Sequence, residues 1–416
     1  ITVLFHRLRQ PVVLGYILAG VIVGPHTPPF PLITDTATIN TLAELGVVFL
    51  LFSLGLEFNL RKLREVGPTA LVAAVAEILL MTWIGYEIGR AFGWKALDAL
   101  FLGAMLAISS TTIIVKALDD LRLKQQRFAQ LIFGILIVED ILAIGIIALL
   151  SSFALSGSMD GTQVAGTLVR LMVFMAVSLV LGLLLVPRLL SYVARFNSDE
   201  MLLVTVLGLC FGVSLLVIRL EYSVALGAFM IGAIIAEARE LKRIERLIAP
   251  VRDMFSAIFF VAIGLLIDPK VVLEYALPIA LITLAVVAGK VLTCSLGTFV
   301  AGHDGRTSLR VGMGLAQIGE FSFIIAALGV SLKVTSDFLY PVVVAVSVIT
   351  TLLTPYLIRA SDPLAGWLRK HLPAWLRQSF GLYTEWLQGI QPTGQTAAIA
   401  AIVWRILAHV AVNMML

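Results

Sequence analysis

Apolar residues dominate this chain in long blocks rather than in alternation. Runs of about twenty, long enough to cross a ~30 Å hydrocarbon layer as helix, recur from one end to the other. The pattern predicts spans at 11–24, 42–59, 69–92, 98–118, 129–155, 165–187, 200–218, 222–238, 254–267, 276–300, 309–332 and 337–359, with 1–6 as the tail of a preceding helix. Beyond them, Leu364, Trp367, Leu368, His371, Leu372, Trp375 and Leu376 keep helical spacing, with Arg369, Lys370 and Arg377 off that stripe. This predicts an amphipathic helix within 361–395 lying at the membrane interface. A final apolar run, 396–416, carries Arg405 near its middle. The pattern leaves open whether it spans, lies flat or packs on a partner.

Composition removes the soluble alternative. Of the 416 residues, 60% are hydrophobic and 13% charged, and the mean hydropathy is +1.02. A soluble chain of this size needs far more polar surface to cover its core. The expected class is an all-α polytopic membrane protein. Cys210 and Cys294 both fall inside apolar runs, where they read as packing residues, not as a disulfide or metal site. The five histidines are scattered without metal-ligand spacing.

Charge is informative by position. Segments 7–9, 61–64, 116–127, 188–195, 239–252, 306–310 and 359–377 hold 22 of the 30 lysines and arginines. The alternate ends hold Arg90, Lys95, Arg170, Arg219, Lys270 and Lys333. The positive-inside bias places the first set, including 359–377, in the cytoplasm.

The two halves repeat. Leu14-Gly15 and Gly20 recur as Leu226-Gly227 and Gly232, an offset of 212. Gly55-Leu56 before Glu57 recurs as Gly264-Leu265 before Asp268, and Gly103 with Leu106-Ala107 recurs as Gly312 with Leu315-Ala316, both at 209. Corresponding spans stand seven places apart in chain order, an odd shift, so the repeats, about 11–155 and 222–359, are inverted in the membrane. Inverted repeats are typical of secondary transporters, whose sites form at the bilayer midplane. The two most polar mid-span stretches correspond: Ala107-Ile108-Ser109-Ser110-Thr111-Thr112 and Ala316-Gln317-Ile318-Gly319-Glu320-Phe321-Ser322. Clustered Ser, Thr and Gly offer the backbone alternatives to helical bonds. Both spans are therefore expected to break, over 107–112 and 316–322, and to cross.

Few ionisable residues lie deep in spans: Glu77, Glu139, Asp140, Lys290 and Glu320, with Arg405 in the terminal run. Each costs at least about 2.5–3.5 kcal/mol at the bilayer centre, so each needs a partner or a wet cavity. Adjacent helix positions point about 100° apart. One of Glu139 and Asp140 is thus expected to bind an ion and the other to tune it or meet a neighbouring helix. Lys290 is expected to meet a carboxylate of the bundle in at least one state, Asp140 or Glu139 before others, and Glu77 to be satisfied by a packing hydrogen bond. The stretch GMGLAQIG at 312–319 has no strand before it and is not a nucleotide fingerprint. Neither a resident cofactor nor a nucleic-acid partner is expected.

Together these motifs resemble the Kef-type branch of the bacterial monovalent cation/proton antiporters over about 1–360. The matching stretches are RLRQPVVLGYILAGVIVGP, LFSLGLEFNL, AISSTTIIVKAL, IVEDILAI, LGAFMIGAIIAE, FFVAIGLLID and LAQIGEFSFIIAALG. The resemblance implies about thirteen transmembrane helices, inverted repeats with two broken, crossing helices, and a core domain beside a dimerisation domain. It further implies a homodimer in the bacterial plasma (inner) membrane, exchanging K+, or else Na+, for H+. The family's ion-binding carboxylate falls on Asp140, beside Glu139, where glutathione-gated members commonly have glutamine. Ser109, Ser110, Thr111 and Thr112 are expected to complete the ion and proton site, with Lys290, Glu320, Gln317 and Glu77 as supporting groups. No metal beyond the transported cation at Asp140 is expected. Many family members carry a cytoplasmic nucleotide-binding regulatory domain; here either it lies in a segment or subunit outside this chain, or regulation runs differently, through 362–416. A cation channel, a non-transporting membrane sensor and an organic-anion transporter are the rivals. A channel needs a carbonyl-lined filter loop, a sensor needs no intact Asp140, and an anion carrier favours a basic site.

Overall fold

The computed structural model describes residues 1–7, 12–26, 35–57, 68–156, 161–219 and 224–371. Among them every regular element is helical: α1 (Thr2–Arg7), α2 (Val12–Val23), α3 (Thr36–Glu57), α4 (Pro68–Ala91), α5 (Ala96–Leu106), α6 (Thr111–Asp120), α7 (Arg127–Ser156) and α8 (Gly161–Ala194) precede α9 (Asp199–Arg219), α10 (Val224–Ala236), α11 (Leu241–Leu265), α12 (Pro269–Glu274), α13 (Ala276–Val300), α14 (Gly305–Leu315), α15 (Glu320–Ser331) and α16 (Leu339–His371). Seven are long and apolar enough to cross a membrane, and the count is eight when α14 and α15, bent by 43° at their break, are taken as one span. The chain is a multi-pass membrane protein.

The helices repeat as the residues do. Adding 209 to the bounds of α5 and α6 gives 305–315 and 320–329, the positions of α14 and most of α15. The breaks run only from 107 to 110 and from 316 to 319, and helix resumes at Thr111 and at Glu320. The expected break therefore ran too long at both sites, because Thr111 and Glu320 start new helices.

Two expected boundaries move. The span placed at 254–267 begins at Leu241, carrying basic residues and Pro250 within one helix. The span placed at 337–359 runs on as α16 to His371, through Pro355 and Pro363. Proline removes a backbone donor and strands a carbonyl. Near these prolines the Thr354 hydroxyl bonds the Thr350 carbonyl at 2.9 Å and the Ser361 hydroxyl bonds the Ile358 carbonyl at 2.7 Å. The rest of the expected interface helix, and the run 396–416 with Arg405, lie outside the described residues.

Backbone contacts divide the chain into two compact units. The first is 1–62, 144–274 and 327–341; the second is 63–143, 275–326 and 342–416. In the first unit the repeat shows as exchanged glycine contacts. A Cβ on Gly20 would collide with the backbone of Val261 and Gly264, and one on Gly55 with that of Phe229 and Gly232. Since Gly20 matches Gly232 and Gly55 matches Gly264, each contact is the image of the other. Small residues at crossings let membrane helices pack backbone to backbone. In the second unit, Gly85 and Gly103 join α4 to α5, and Gly297 and Ala73 join α13 to α4, in the same way.

Candidate functional site

The second unit holds both helix breaks, and their backbones bond each other. The Gly319 N–H donates to the Ile108 carbonyl at 2.9 Å. The Ser110 N–H donates to Gln317 Oε1, and Gln317 Nε2 donates to the Ser110 carbonyl, both at 3.2 Å. At an offset of 209, Ser110 corresponds to Gly319 and Ile108 to Gln317. One exchange uses main chain and the other borrows an amide side chain. The Ser322 hydroxyl donates to the Met105 carbonyl at 2.5 Å and Ser109 Oγ to the Leu315 carbonyl at 3.3 Å. A break buried this deeply has no water to satisfy its free N–H and C=O groups, so these bonds make it tolerable. Gly319 is required here: a Cβ would lie 2.6 Å from the Ser109 carbonyl carbon and 2.7 Å from the Ser110 nitrogen.

Ionisable groups converge on the first break. Glu139, fully buried on α7, accepts from the Ser109 N–H at 2.8 Å through Oε2. Asp140, half-buried, accepts from the Thr111 hydroxyl at 3.2 Å at the start of α6. Glu139 therefore reaches the first break, and Asp140 the start of the helix that follows it, two residues further on. Adjacent positions on α7 diverge by about 100°, and the four unwound residues with the helix start beyond them offer contacts on more than one side. Asp140 also sits by the N-terminal end of α6, where the helix dipole favours negative charge.

Lys290 does not meet Asp140 or Glu139 directly. Its Nζ lies 2.8 Å from Glu77 Oε1, with both side chains fully buried. It also donates to Ser109 Oγ at 2.7 Å and to the Ala107 carbonyl at 3.4 Å. Lys290 on α13 and Glu77 on α4 face the crossing at one depth, and α4 packs directly against α13, so the bundle carboxylate that the lysine meets in this structure is Glu77. Glu77 is accordingly the lysine's counter-ion, not a packing acceptor. Glu139 acts on the same ammonium at longer range. Glu77 Oε2 and Glu139 Oε1 accept from no nitrogen or hydroxyl donor among the described residues, and the two carboxyl groups are hydrogen-bonding neighbours of each other. Two fully buried carboxylates thus share one ammonium.

The remaining expected residues fall around this centre. Glu320 opens α15 and is half-buried, and Gln317 lies in the second break. Thr112 is helical, but its side chain lies outside the described residues. Cys210 and Cys294 are buried and unpaired, as packing residues would be. Among the described residues no group of histidine, cysteine and acidic side chains is arranged to hold a metal ion.

Two hydroxyls escaped the sequence analysis. Ser347 Oγ donates to the Ile318 carbonyl at 3.1 Å, and Thr350 Oγ1 accepts from the Ile318 N–H at 3.5 Å. The signal was present in the repeat. At an offset of 209, Glu139 and Asp140 map to Val348 and Ile349, which Ser347 and Thr350 flank, and Ser109 maps to Ile318. The first repeat supplies carboxylates to its break, and the second supplies neutral hydroxyls to its own.

A family model described as "Sodium/hydrogen exchanger, transmembrane" matches residues 1–359. YbaL of Escherichia coli (strain K12) is 34% identical over 365 residues, covering 85% of this chain and 64% of YbaL. The K(+)/H(+) antiporter subunit KhtU of Bacillus subtilis (strain 168) is 30% identical over 345 residues, covering 79% of this chain and 82% of KhtU. The chain spans less than two thirds of the length of YbaL and of other curated relatives. Among solved structures, the sodium proton antiporter MjNhaP1 from Methanocaldococcus jannaschii superimposes with a TM-score of 0.66 at 18% identity, over 87% of this chain and 94% of that one. That likeness is one of fold.

Proposed function

This chain belongs to the sodium/hydrogen exchanger family, and from that premise we propose that it is a secondary active antiporter, exchanging a monovalent cation for protons by alternating access. The observation that carries this reading is the surplus of buried carboxylate at the crossed breaks. Glu77 and Glu139 share one ammonium, and Asp140 stands beside them at the start of α6. A membrane interior does not tolerate uncompensated negative charge. The centre therefore holds either a proton or a cation, and exchange follows when binding one excludes the other. Asp140 is the shared site, being the carboxylate of the three that is not fully enclosed. Thr111 and the hydroxyls and carbonyls of Ser109 and Ser110 offer a dehydrated cation its oxygens. Lys290, held by Glu77, balances charge when the cation leaves. Potassium is the favoured cation, in keeping with the name of KhtU, and sodium the alternative. The active assembly is a homodimer in the bacterial inner membrane, with the basic loops cytoplasmic. Surplus carboxylate also argues against an organic-anion carrier.

The test is proton flux in proteoliposomes under a pH gradient, on adding potassium, sodium and lithium in turn. Cation-driven flux is expected for the wild type, with the apparent KM for the cation rising as pH falls. Asp140→Asn is expected to abolish flux in folded protein, because the amide is nearly isosteric and removes a buried charge. Robust flux from folded Asp140→Asn would move the site to Glu139 or Glu320. Flux without proton coupling would favour a channel.

A further inference from the structure

A groove of about 1060 Å³ opens between the C-terminal half of α13, the start of α14 and the end of α16, all within the second unit. One wall is apolar: Val291, Leu292, Leu296, Phe299 and Val300 line it along α13. Nine residues of helix rise about 14 Å, close to the depth of one leaflet of a ~30 Å hydrocarbon layer. Leu292 and Leu296 are 61% and 57% exposed, so no protein covers this wall among the described residues.

The mouth has different chemistry, with Asp304, Arg306, Asp362 and Arg369 around it. Both carboxylates are engaged by the fold. Asp304 caps α14, accepting from the Arg306 and Thr307 N–H groups at 3.2 Å. Asp362 accepts from Arg306 Nε at 2.9 Å and from Arg310 Nε and Nη2 at 2.8 and 2.6 Å. Two arginines and two aspartates thus line the mouth, and a third arginine, Arg310, reaches Asp362 from outside the groove, which leaves the charge of Arg369 in excess. Arg369 is exposed and has no ion-pair partner among the described residues. Surplus positive charge therefore rims one end of an apolar trough one leaflet deep, on the side where most of the chain's lysines and arginines lie.

We propose that this groove holds one anionic phospholipid, its phosphate against Arg369 and Arg306 and an acyl chain along Leu292, Leu296 and Val300. Guanidinium groups bind phosphate by charge-assisted, often bidentate hydrogen bonds. Basic pockets between membrane helices on the positive side are suited to such headgroups. A soluble anion would leave the apolar wall bare, and a lipid without net charge would leave the surplus of arginine unmatched. Because α14 leads directly into the 316–319 break, the bound lipid braces the half-helix that enters the crossing.

Native mass spectrometry of the purified chain, offered phosphatidylglycerol, phosphatidylcholine or inorganic phosphate, tests this. One phosphatidylglycerol per chain should be retained at least fivefold over phosphatidylcholine, and phosphate alone should not bind. Arg369→Glu should lower retention at least fivefold by reversing the charge. Leu296→Trp should do the same by filling the trough with the charge intact. Both positions are exposed, so the lipid-free melting temperatures should match the wild type. Equal retention of the two lipids, retention unchanged in both variants, or binding of phosphate alone would overturn the proposal. So would a photo-crosslinking residue at 296 that captures residues 372–416 in place of lipid.

Discussion

Replacing Lys290 with methionine removes a buried charge while keeping most of the side chain's volume. Its effect can be sized from the surroundings. Lys290 and Glu77 are both fully buried and lie 2.8 Å apart, and Glu139 shares the ammonium. Removing one partner of a buried pair costs about 3–5 kcal/mol, because the other charge is left uncompensated. With an unfolding entropy of about 2.1 cal/mol/K per residue, a chain of 416 residues should melt ~3–6 °C lower. Glu77→Gln in the same background removes the stranded charge, so Lys290→Met/Glu77→Gln should recover at least half of that loss. The coupling across the cycle should be about 1–3 kcal/mol. Thermal unfolding in detergent, followed by tryptophan fluorescence, gives all four midpoints. A Lys290→Met midpoint within ~1 °C of wild type, or strictly additive losses, would refute the buried pair. Coupling of Lys290 to Asp140→Asn instead would restore the partner expected from sequence.

Three further outcomes are expected. Gly319→Ala should lower stability by about 1–3 kcal/mol, as overpacking does, and cut cation-driven proton flux at least tenfold, since its Cβ would meet the backbone of Ser109 and Ser110; wild-type flux would show that the crossing need not be tight. Ser109→Ala loses a 2.7 Å bond to the Lys290 ammonium and should cost about 1.5–3 kcal/mol in the same melting assay, less than Lys290→Met. Asp304→Ala removes the α14 cap and should cost about 0.5–2 kcal/mol. Burial raises the Asp304 carboxyl, but hydrogen bonds from Thr307 and Arg306 outweigh it and hold it below its ordinary 3.8. A carboxyl lowered on folding stabilises above its unfolded value and loses that contribution as pH falls through the folded one. The difference between Asp304→Ala and wild type should therefore be constant above about pH 5 and shrink below 3.8; a gap that widens in acid would contradict the cap.

How much was legible in the sequence follows from what runs along the chain and what crosses it. Twenty-residue apolar blocks report membrane depth directly, because a helix rises a fixed distance per residue. For that reason the long spans, the 209-residue repeat and the pair of breaks could all be read from residue order. Ser109-Ser110 and Gln317 to Gly319 marked the breaks, since small and hydroxyl residues compete with helical bonds wherever they occur. Depth, however, says nothing about which neighbour a side chain faces. Glu77 and Lys290 are 213 residues apart, and only the packing of α4 on α13 makes them a pair. Sequence order favoured Glu139 and Asp140 as the lysine's partners, yet the unwound backbone at Ser109 and the Thr111 hydroxyl take those carboxylates. The same holds for Ser347 and Thr350, ordinary hydroxyls of a long helix until α16 lies against Ile318. Residue order determined which groups lie at the midplane, because apolar length and helical rise are local. Tertiary structure decided their pairing, because a buried charge is stabilised by whatever group the packing brings within about 3 Å.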